Sequence, residues 1–191
     1  HSIPRIKNMI RFLIEKNEMD MPSMHILNSG LNDLIKNDEK SAEIKWGNHV
    51  IRRFSKRLYF LNKLEAMPFE APDDISWAIT QSINLNHPIG SLEIDFRDGV
   101  GISLDKCSEN LQIKFRKGGE KISTSKQKKQ KTLKDYFSEK KILPWARDKI
   151  PLIYDNQHLI CIGDFWMNDD FKATESEPSF IIHWNTEMKI S

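Results

Sequence analysis

Basic side chains are concentrated in one segment of the sequence, residues 114–149. This segment holds thirteen Lys or Arg residues and four Asp or Glu residues, a local charge of +9, whereas the whole chain carries only +2. Such a concentration favours binding of a polyanion, because each phosphate neutralised by a protein cation releases condensed counterions. A second, smaller basic cluster consists of Arg52, Arg53, Lys56 and Arg57. Two separate clusters suit a long polyanion better than a small ligand.

Residues that could perform catalysis are present but scattered. The acid pair Asp73-Asp74 could supply a general acid and base, as could Asp169-Asp170, but adjacent carboxylates in loops are usually solvated charge. Cys161 lies in an apolar stretch, which favours an unreactive buried thiol over a nucleophilic thiolate. His183 stands in a predicted strand, where a single histidine is more often structural. Because no nucleophile, base and oxyanion site combine, an independent hydrolase is the least favoured function.

Composition limits the class of protein. A chain of 191 residues can form one large or two small domains, and 39% hydrophobic with 29% charged residues indicates small cores. Two cysteines are too few for a disulfide framework, and six scattered histidines form no zinc pattern. No apolar run approaches the roughly 20 residues that span a bilayer, and no signal peptide is recognisable. We therefore expect a cytoplasmic protein with no membrane association and no metal. The start at His1 suggests a portion of a longer protein.

Hydrophobic periodicity predicts a small helical domain with a β-meander over residues 1–64. Apolar residues recur at helical spacing from Ile6 to Ile14, and a second apolar stripe runs from Leu27 to Ile35. Gly47-Asn48 then separates two strand-like runs, as in a two-residue hairpin. Residues 58–61 predict a third strand.

The remaining sequence predicts a connector and a second domain. Residues 65–90 contain three of the eight prolines and are predicted to be a connector, in which 75–80 is compatible with a short strand or helix. Residues 91–191 predict strands combined with two short helices. The first helix begins at Thr132, which can cap the N–H of Asp135, and the second lies between the prolines at 144 and 151. The predicted class is α+β.

The order of residues through the basic segment resembles that of the bacterial tRNA(Ile)-lysidine synthetases. The motif reads FR-x-GG-E, a polar loop, K-x-LKDYF and then PW-x-RD-x-IPL. Its residues here are Phe115, Arg116, Gly118, Gly119, Glu120, Lys131, Leu133, Lys134, Pro144, Trp145, Arg147, Asp148, Pro151 and Leu152. Residues 1–64 resemble, more loosely, the middle, substrate-binding domain of that family.

The resemblance implies a division of labour within a longer enzyme. In this family an N-terminal domain with a Ser-Gly-Gly-x-Asp-Ser loop uses ATP, with magnesium, to adenylate C34 of the isoleucine tRNA that bears a CAU anticodon. Lysine then displaces AMP and forms lysidine. The loop is absent from this sequence, so the resemblance implies a C-terminal tRNA-binding portion that needs no cofactor itself and is inactive alone. It leaves a homodimer open.

Charge and resemblance together nominate the residues that contact tRNA. They are Arg52, Arg53, Arg57, Arg116, Lys117, Lys126, Lys128, Lys129, Lys131, Lys134 and Arg147. For Arg147 a local ion pair with Asp148 is an equal alternative. For the chain as a whole, two alternatives have no enzymatic activity: a stand-alone nucleic-acid-binding module, and a protein-interaction domain that docks an acidic partner.

Overall fold

A computed structural model describes residues 2–36, 42–123 and 130–191. Within these ranges the chain forms four α-helices and fourteen β-strands, which confirms the α+β class. It divides into two compact units, residues 1–67 and residues 68–191. None of the helices in the described ranges has the length and apolar character needed to cross a membrane.

The first unit combines helices with a three-stranded antiparallel sheet of order β1-β2-β3. Its elements are α1 (Ile3–Lys16), α2 (Met24–Lys36), β1 (Glu43–Trp46), β2 (His49–Phe54), β3 (Arg57–Asn62) and the one-turn helix α3 (Lys63–Ala66). The predicted apolar stripes bury the two long helices, and the core residues include Ile10, Ile14, Leu27, Leu31, Ile44 and Ile51. The helical pair and the meander are therefore confirmed.

Close packing explains the glycine inside α2. A Cβ built on Gly30 would lie 2.5 Å from Cγ1 of Ile44 on β1, closer than side-chain contacts allow. Glycine lowers the stability of the helix, but the absence of a Cβ at this position lets α2 pack closely against the sheet. Gly47 serves a different purpose, since its φ of +48° forms the first residue of the predicted turn between β1 and β2.

The second unit contains three antiparallel sheets. Their orders are β13-β12-β11-β8-β4, β5-β6-β14-β7 and β10-β9. The strands are β4 (Ile75–Ala78), β5 (Ile83–Asn84), β6 (Ser91–Asp98), β7 (Ile102–Ser103), β8 (Asn110–Lys114), β9 (Lys121–Ser123), β10 (Gln130–Thr132), β11 (Leu152–Asp155), β12 (His158–Ile162), β13 (Trp166–Met167) and β14 (Pro178–Asn185). One continuous core joins the two larger sheets, with Leu111, Ile113, Ile160 and Phe180 fully buried.

Helix α4 (Leu133–Glu139) follows the small β9-β10 hairpin directly. The hydroxyl of Thr132 accepts the Asp135 N–H at 3.1 Å, as predicted for the helix start. Leu133, Tyr136 and Phe137 are the buried residues of the helix. The opposite side of α4 therefore remains available at the surface of the basic segment.

The structure corrects two predictions. Residues 68–90 belong to the second unit and do not form a bare connector: β4 pairs with β8, and Trp77 is only 2% exposed. The connector assignment was wrong, whereas the short strand or helix allowed at residues 75–80 is confirmed as the strand β4. A four-residue edge strand between prolines is too short to show an alternating pattern that would distinguish strand from helix. The second short helix is one 3-10 turn at Arg147–Lys149, because Pro151 prevents the helix from continuing.

Candidate nucleic-acid interface

Arg52 and Arg53 point their cationic groups at partners inside the first unit. Arg52 faces Glu43 across the β1–β2 pair, and its Nε donates to the Glu43 carboxylate at 2.9 Å. Its Nη2 also donates to the Ala66 carbonyl at 3.0 Å. Arg53 Nη1 donates to the carbonyl of Leu34, near the end of α2, at 2.8 Å. These contacts hold the helices on the sheet, so neither guanidinium is freely presented to an external anion.

Lys56 and Arg57 lie at the tip of the same hairpin and differ sharply from that pair. Both side chains are exposed, and neither has an ion pair with another residue in the described ranges. The prediction included Arg57 but not Lys56. Lys56 was the neighbour that the sequence could have nominated, since it occupies the turn itself.

The start of the basic segment is held by acids from elsewhere in the second unit. Lys114 Nζ lies 3.2 Å and Lys117 Nζ 3.5 Å from the Asp74 carboxylate. Arg116 Nη1 donates to Asp148 at 3.0 Å. The hydrogen bond from Lys114, against the opposing effect of burial, and the charges of both lysines lower the pKa of Asp74. Asp74 is therefore an ion-pair partner and not half of a catalytic acid pair.

Glu120 organises the loop that carries Arg116 and Lys117. One Glu120 oxygen accepts the backbone N–H of Lys117 at 2.6 Å and that of Gly118 at 2.8 Å. Its other oxygen lies 3.9 Å from Arg116 Nε, too far for a hydrogen bond, and both atoms are buried without a partner. The Glu120 carbonyl accepts the Leu133 N–H at 2.9 Å. Glu120 thus fixes the FR-x-GG loop against the start of α4.

A small cleft opens beside this loop. It has a volume of about 240 Å³ and is lined by Phe69, Ala71, Arg116, Lys117, Gly118 and Asp148. Its two cations are already matched by the acids described above, so the cleft itself has little uncompensated positive charge.

Arg147 is half-buried near Arg116. Its Nε donates to the Ile142 carbonyl at 3.0 Å, which fixes the chain between α4 and the 3-10 turn. Burial, followed by the charge of Arg116, lowers the pKa of Arg147. The ion pair of Asp148 is made with Arg116 and not with its neighbour, in contrast to the alternative drawn from the sequence.

Exposed lysines occur at the start of β9, in α4 and just after α4. Lys131 is engaged in an ion pair with Glu139. Lys121, Lys134 and Lys141 are exposed and have no ion pair within the described part of the chain. Lys126, Lys128 and Lys129 lie outside the described residues. Lys121, Lys134 and Lys141 are therefore open cations of the basic segment in the described part of the second unit.

Groups that could support catalysis have structural roles. Burial raises the pKa of Cys161 to about 12 and that of Cys107 to about 11, so both thiols stay protonated at neutral pH. His183 Nε2 lies 3.9 Å from the Asp95 carboxylate on the neighbouring strand. In the described ranges, no cluster of three His, Cys, Asp or Glu residues could hold a metal ion.

Comparison with known protein families yields two matches. The family model described as the TilS substrate binding domain matches residues 1–59, and that described as the TilS substrate C-terminal domain matches residues 111–184. The second match spans the FR-x-GG loop, α4 and the final strand. The first spans the helical pair and the hairpin tip.

Individual relatives extend over most of the chain. The tRNA(Ile)-lysidine synthase of Legionella pneumophila (strain Lens) is 30% identical over 172 residues, which is 89% of this chain and 38% of the relative. That of Coxiella burnetii is 30% identical over 186 residues, or 97% of this chain and 40% of the relative. That of Haemophilus influenzae (strain PittEE) is 25% identical over 90% of this chain and 41% of the relative. The chain therefore spans about two fifths of the length of these curated relatives.

One solved structure is also similar. It is described as "Crystal structure of TILS C-terminal domain", and it matches with a TM-score of 0.42 and 16% identity. The match covers 61% of this chain and 100% of the other.

Proposed function

Because this chain belongs to the tRNA(Ile)-lysidine synthase family, we propose that it is the tRNA-binding portion of such an enzyme. The observation that carries the proposal is the pair of matches to the TilS substrate binding domain and the TilS substrate C-terminal domain, one in each unit. The chain would grip the tRNA so that a catalytic portion outside these 191 residues can modify C34 of the CAU-anticodon isoleucine tRNA in the cytoplasm. ATP with magnesium, and lysine as co-substrate, would act in that other portion.

The charge distribution supports tRNA binding, but through fewer of the nominated residues than the sequence predicted. Of the eight nominated cations within the described ranges, Arg52, Arg53, Arg116, Lys117, Lys131 and Arg147 are engaged by acids or carbonyls. Arg57 and Lys134 are open, as are Lys121 and Lys141 of the basic segment, which were not nominated. Binding through phosphates needs cations that can exchange water for phosphate oxygens, so we assign the contact to this open set.

A tRNA-gripping role has a physical rationale in catalysis. A modification reaction requires its target base within a fraction of an ångström of productive geometry, and contacts far from the reacting atoms can supply the binding free energy. RNA duplexes are recognised through shape, phosphates and the shallow minor groove. Exposed lysines on two folded units suit contacts of that kind.

A gel-shift experiment tests the proposal directly. We expect the chain to bind the CAU-anticodon isoleucine tRNA, and log K to fall linearly with log salt concentration. Elongator methionine tRNA, run beside it, reports discrimination, and a polyacidic peptide serves as competitor. If the peptide displaced the bound tRNA at an equal concentration, the protein-interaction alternative would be favoured. No tRNA binding at low salt would refute the proposal.

Paired variants locate the contact. Lys134→Gln with Lys141→Gln should weaken tRNA binding and reduce the salt slope by about 1.4 to 1.8, since each phosphate contact contributes about 0.7 to 0.9. Lys172→Gln with Lys189→Gln makes the same change in charge at exposed lysines outside the basic segment. Equal effects of the two pairs would show that only net charge matters, and would remove Lys134 and Lys141 from the interface.

A further inference from the structure

The turn between β2 and β3 has an unusual backbone for its residue types. Phe54 and Arg57 are cross-strand partners, so Ser55 and Lys56 alone form the turn. Their φ angles are +48° and +65°, both in the left-handed region. Hairpin turns of this type normally carry Asn-Gly or Asp-Gly, because a residue with a Cβ is strained there. In the described ranges, this is the one place where two consecutive non-glycine residues have positive φ.

No contact within the described residues explains why a lysine occupies this strained position. The side chains of Lys56 and Arg57 have no hydrogen bond, ion pair or ring contact with the rest of the described chain, and both are exposed. Arg53, three residues before Lys56, is by contrast engaged with carbonyls of α2. Within the described residues, the strain at the tip is therefore not offset by a side-chain contact of Lys56 or Arg57.

Another exposed lysine with positive φ has a simpler explanation. Lys141, with φ +56°, lies two residues after the last residue of α4, and its N–H donates to the Ser138 carbonyl at 3.1 Å. A cation near the C-terminus of a helix is also favoured by the helix dipole. Lys56 does not follow a helix, so neither helix termination nor the helix dipole explains a lysine with positive φ at this position.

We propose that Lys56 and Arg57 form a contact to phosphates of the RNA backbone, and that the strained turn is retained to project them. This inference rests on the proposed function, and it assigns the hairpin tip of the first unit as a binding site for phosphodiester groups. The substrate-binding model covers residues 1–59 and so includes the whole turn. A two-residue turn holds the two cations at the end of a rigid ribbon, where each can meet one phosphate without reading sequence.

Four substitutions in this chain separate backbone strain from charge. Lys56→Gly relieves the strain and removes the charge, so the midpoint of thermal unfolding should rise by about 3 °C while tRNA binding weakens. Lys56→Gln removes the charge alone and should weaken binding by the same factor without raising the midpoint. Lys56→Arg should bind like the wild type. Ser176→Gly, at an exposed residue with φ +63°, should raise stability and leave binding unchanged.

The size of the binding effect follows from the salt dependence. One phosphate contact contributes about 0.8 to the slope of log K against log salt, which corresponds to about fivefold in affinity at 0.15 M salt relative to 1 M. We expect this loss for either Lys56 variant, with the slope flattened by about 0.8. An unchanged affinity and slope in Lys56→Gly and Lys56→Gln, while the wild type binds tRNA, would overturn the inference and leave the proposed function standing. Failure of the wild type itself to bind tRNA would refute both.

Discussion

Glu177 ties residues 103–106 to the turn at Thr174 through a single carboxylate. One oxygen accepts the hydroxyl hydrogen of Ser103, and the other accepts the N–H and hydroxyl of Thr174 at 2.7 and 2.9 Å. Lys106 Nζ lies 3.5 Å away. The hydroxyl of Ser103, followed by the N–H and hydroxyl of Thr174, lowers the pKa of Glu177 from 4.5 to about 2. Hydrogen bonds to the ionised form cause this shift.

The lowered pKa predicts a loss of stability in acid. The folded-state pKa lies below the unfolded-state value, so the unfolded chain binds the additional proton between about pH 4.5 and pH 2. The stability contributed by ionised Glu177 is complete above that range and is lost as the pH falls through it. Glu177→Gln should therefore lower the urea midpoint at neutral pH, and its difference from the wild type should shrink as the pH falls from about 4.5 and vanish below about pH 2.

Urea unfolding at a series of pH values measures this difference. Glu175→Gln, at an exposed neighbouring acid, serves as the control and should follow the wild-type curve throughout. A Glu177→Gln difference that stays constant with pH would show that the hydrogen bonds do not depend on ionisation.

Single residues also show where prediction from sequence stops. The basic segment and its motif were recognisable, and the matches to family models confirm the family. The sequence did not show which cations lack an ion-pair partner, because the acidic partners are distant along the chain. Asp74, the partner of Lys114, lies 40 residues before it, and Asp148, the partner of Arg116, lies 32 residues after it. A count of charges along the chain contains no information on such pairs. The tRNA contacts of the individual residues remain predictions.

At the scale of elements, local patterns succeeded where they were long or marked by turn residues. The helical stripe of α1 and the Gly47-Asn48 hairpin were predicted from periodicity and turn chemistry. For strand β4 the sequence left a short strand or a helix open, because its four residues follow a segment rich in proline and acids. Its place is fixed by pairing with β8, more than thirty residues later, which no local pattern reports.

Trp77 provides the test of β4 as a core element. The indole is 2% exposed, and its Nε1 donates to the Gln81 carbonyl at 2.8 Å. Trp77→Ala should lower the free energy of unfolding by about 3–5 kcal/mol, because it removes a large buried side chain and leaves a cavity. Chemical denaturation of the second unit measures the change.

Two further variants calibrate that result. Trp77→Phe keeps most of the buried volume and loses the hydrogen bond, so it should cost clearly less than Trp77→Ala. Phe96→Ala removes an aromatic ring that is 53% exposed, and it should have a small effect. If Trp77→Ala behaved like Phe96→Ala, residues 75–78 would be a connector after all.

At the scale of the whole molecule, each unit has a hydrophobic core of its own. The first cluster draws on α1, α2 and the three-stranded sheet, and the second on the two larger sheets and α4. Among the residues that the structure describes, none of the buried ones belongs to both clusters. A unit with a complete core of its own can in principle fold alone.

Residues 68–191 should therefore fold in isolation, whereas residues 91–191 should not. The shorter fragment begins at the domain boundary predicted from sequence, and it lacks β4, β5 and the buried side chains of Trp77, Leu85 and Ile89. It also loses the Ile89 carbonyl that accepts the Trp184 N–H at 2.9 Å. We expect a cooperative unfolding transition for 68–191 and a shallow, non-cooperative one for 91–191, as measured by circular dichroism in urea. Equal cooperativity of the two fragments would show that residues 68–90 add nothing to the core, and would return the boundary to residue 91.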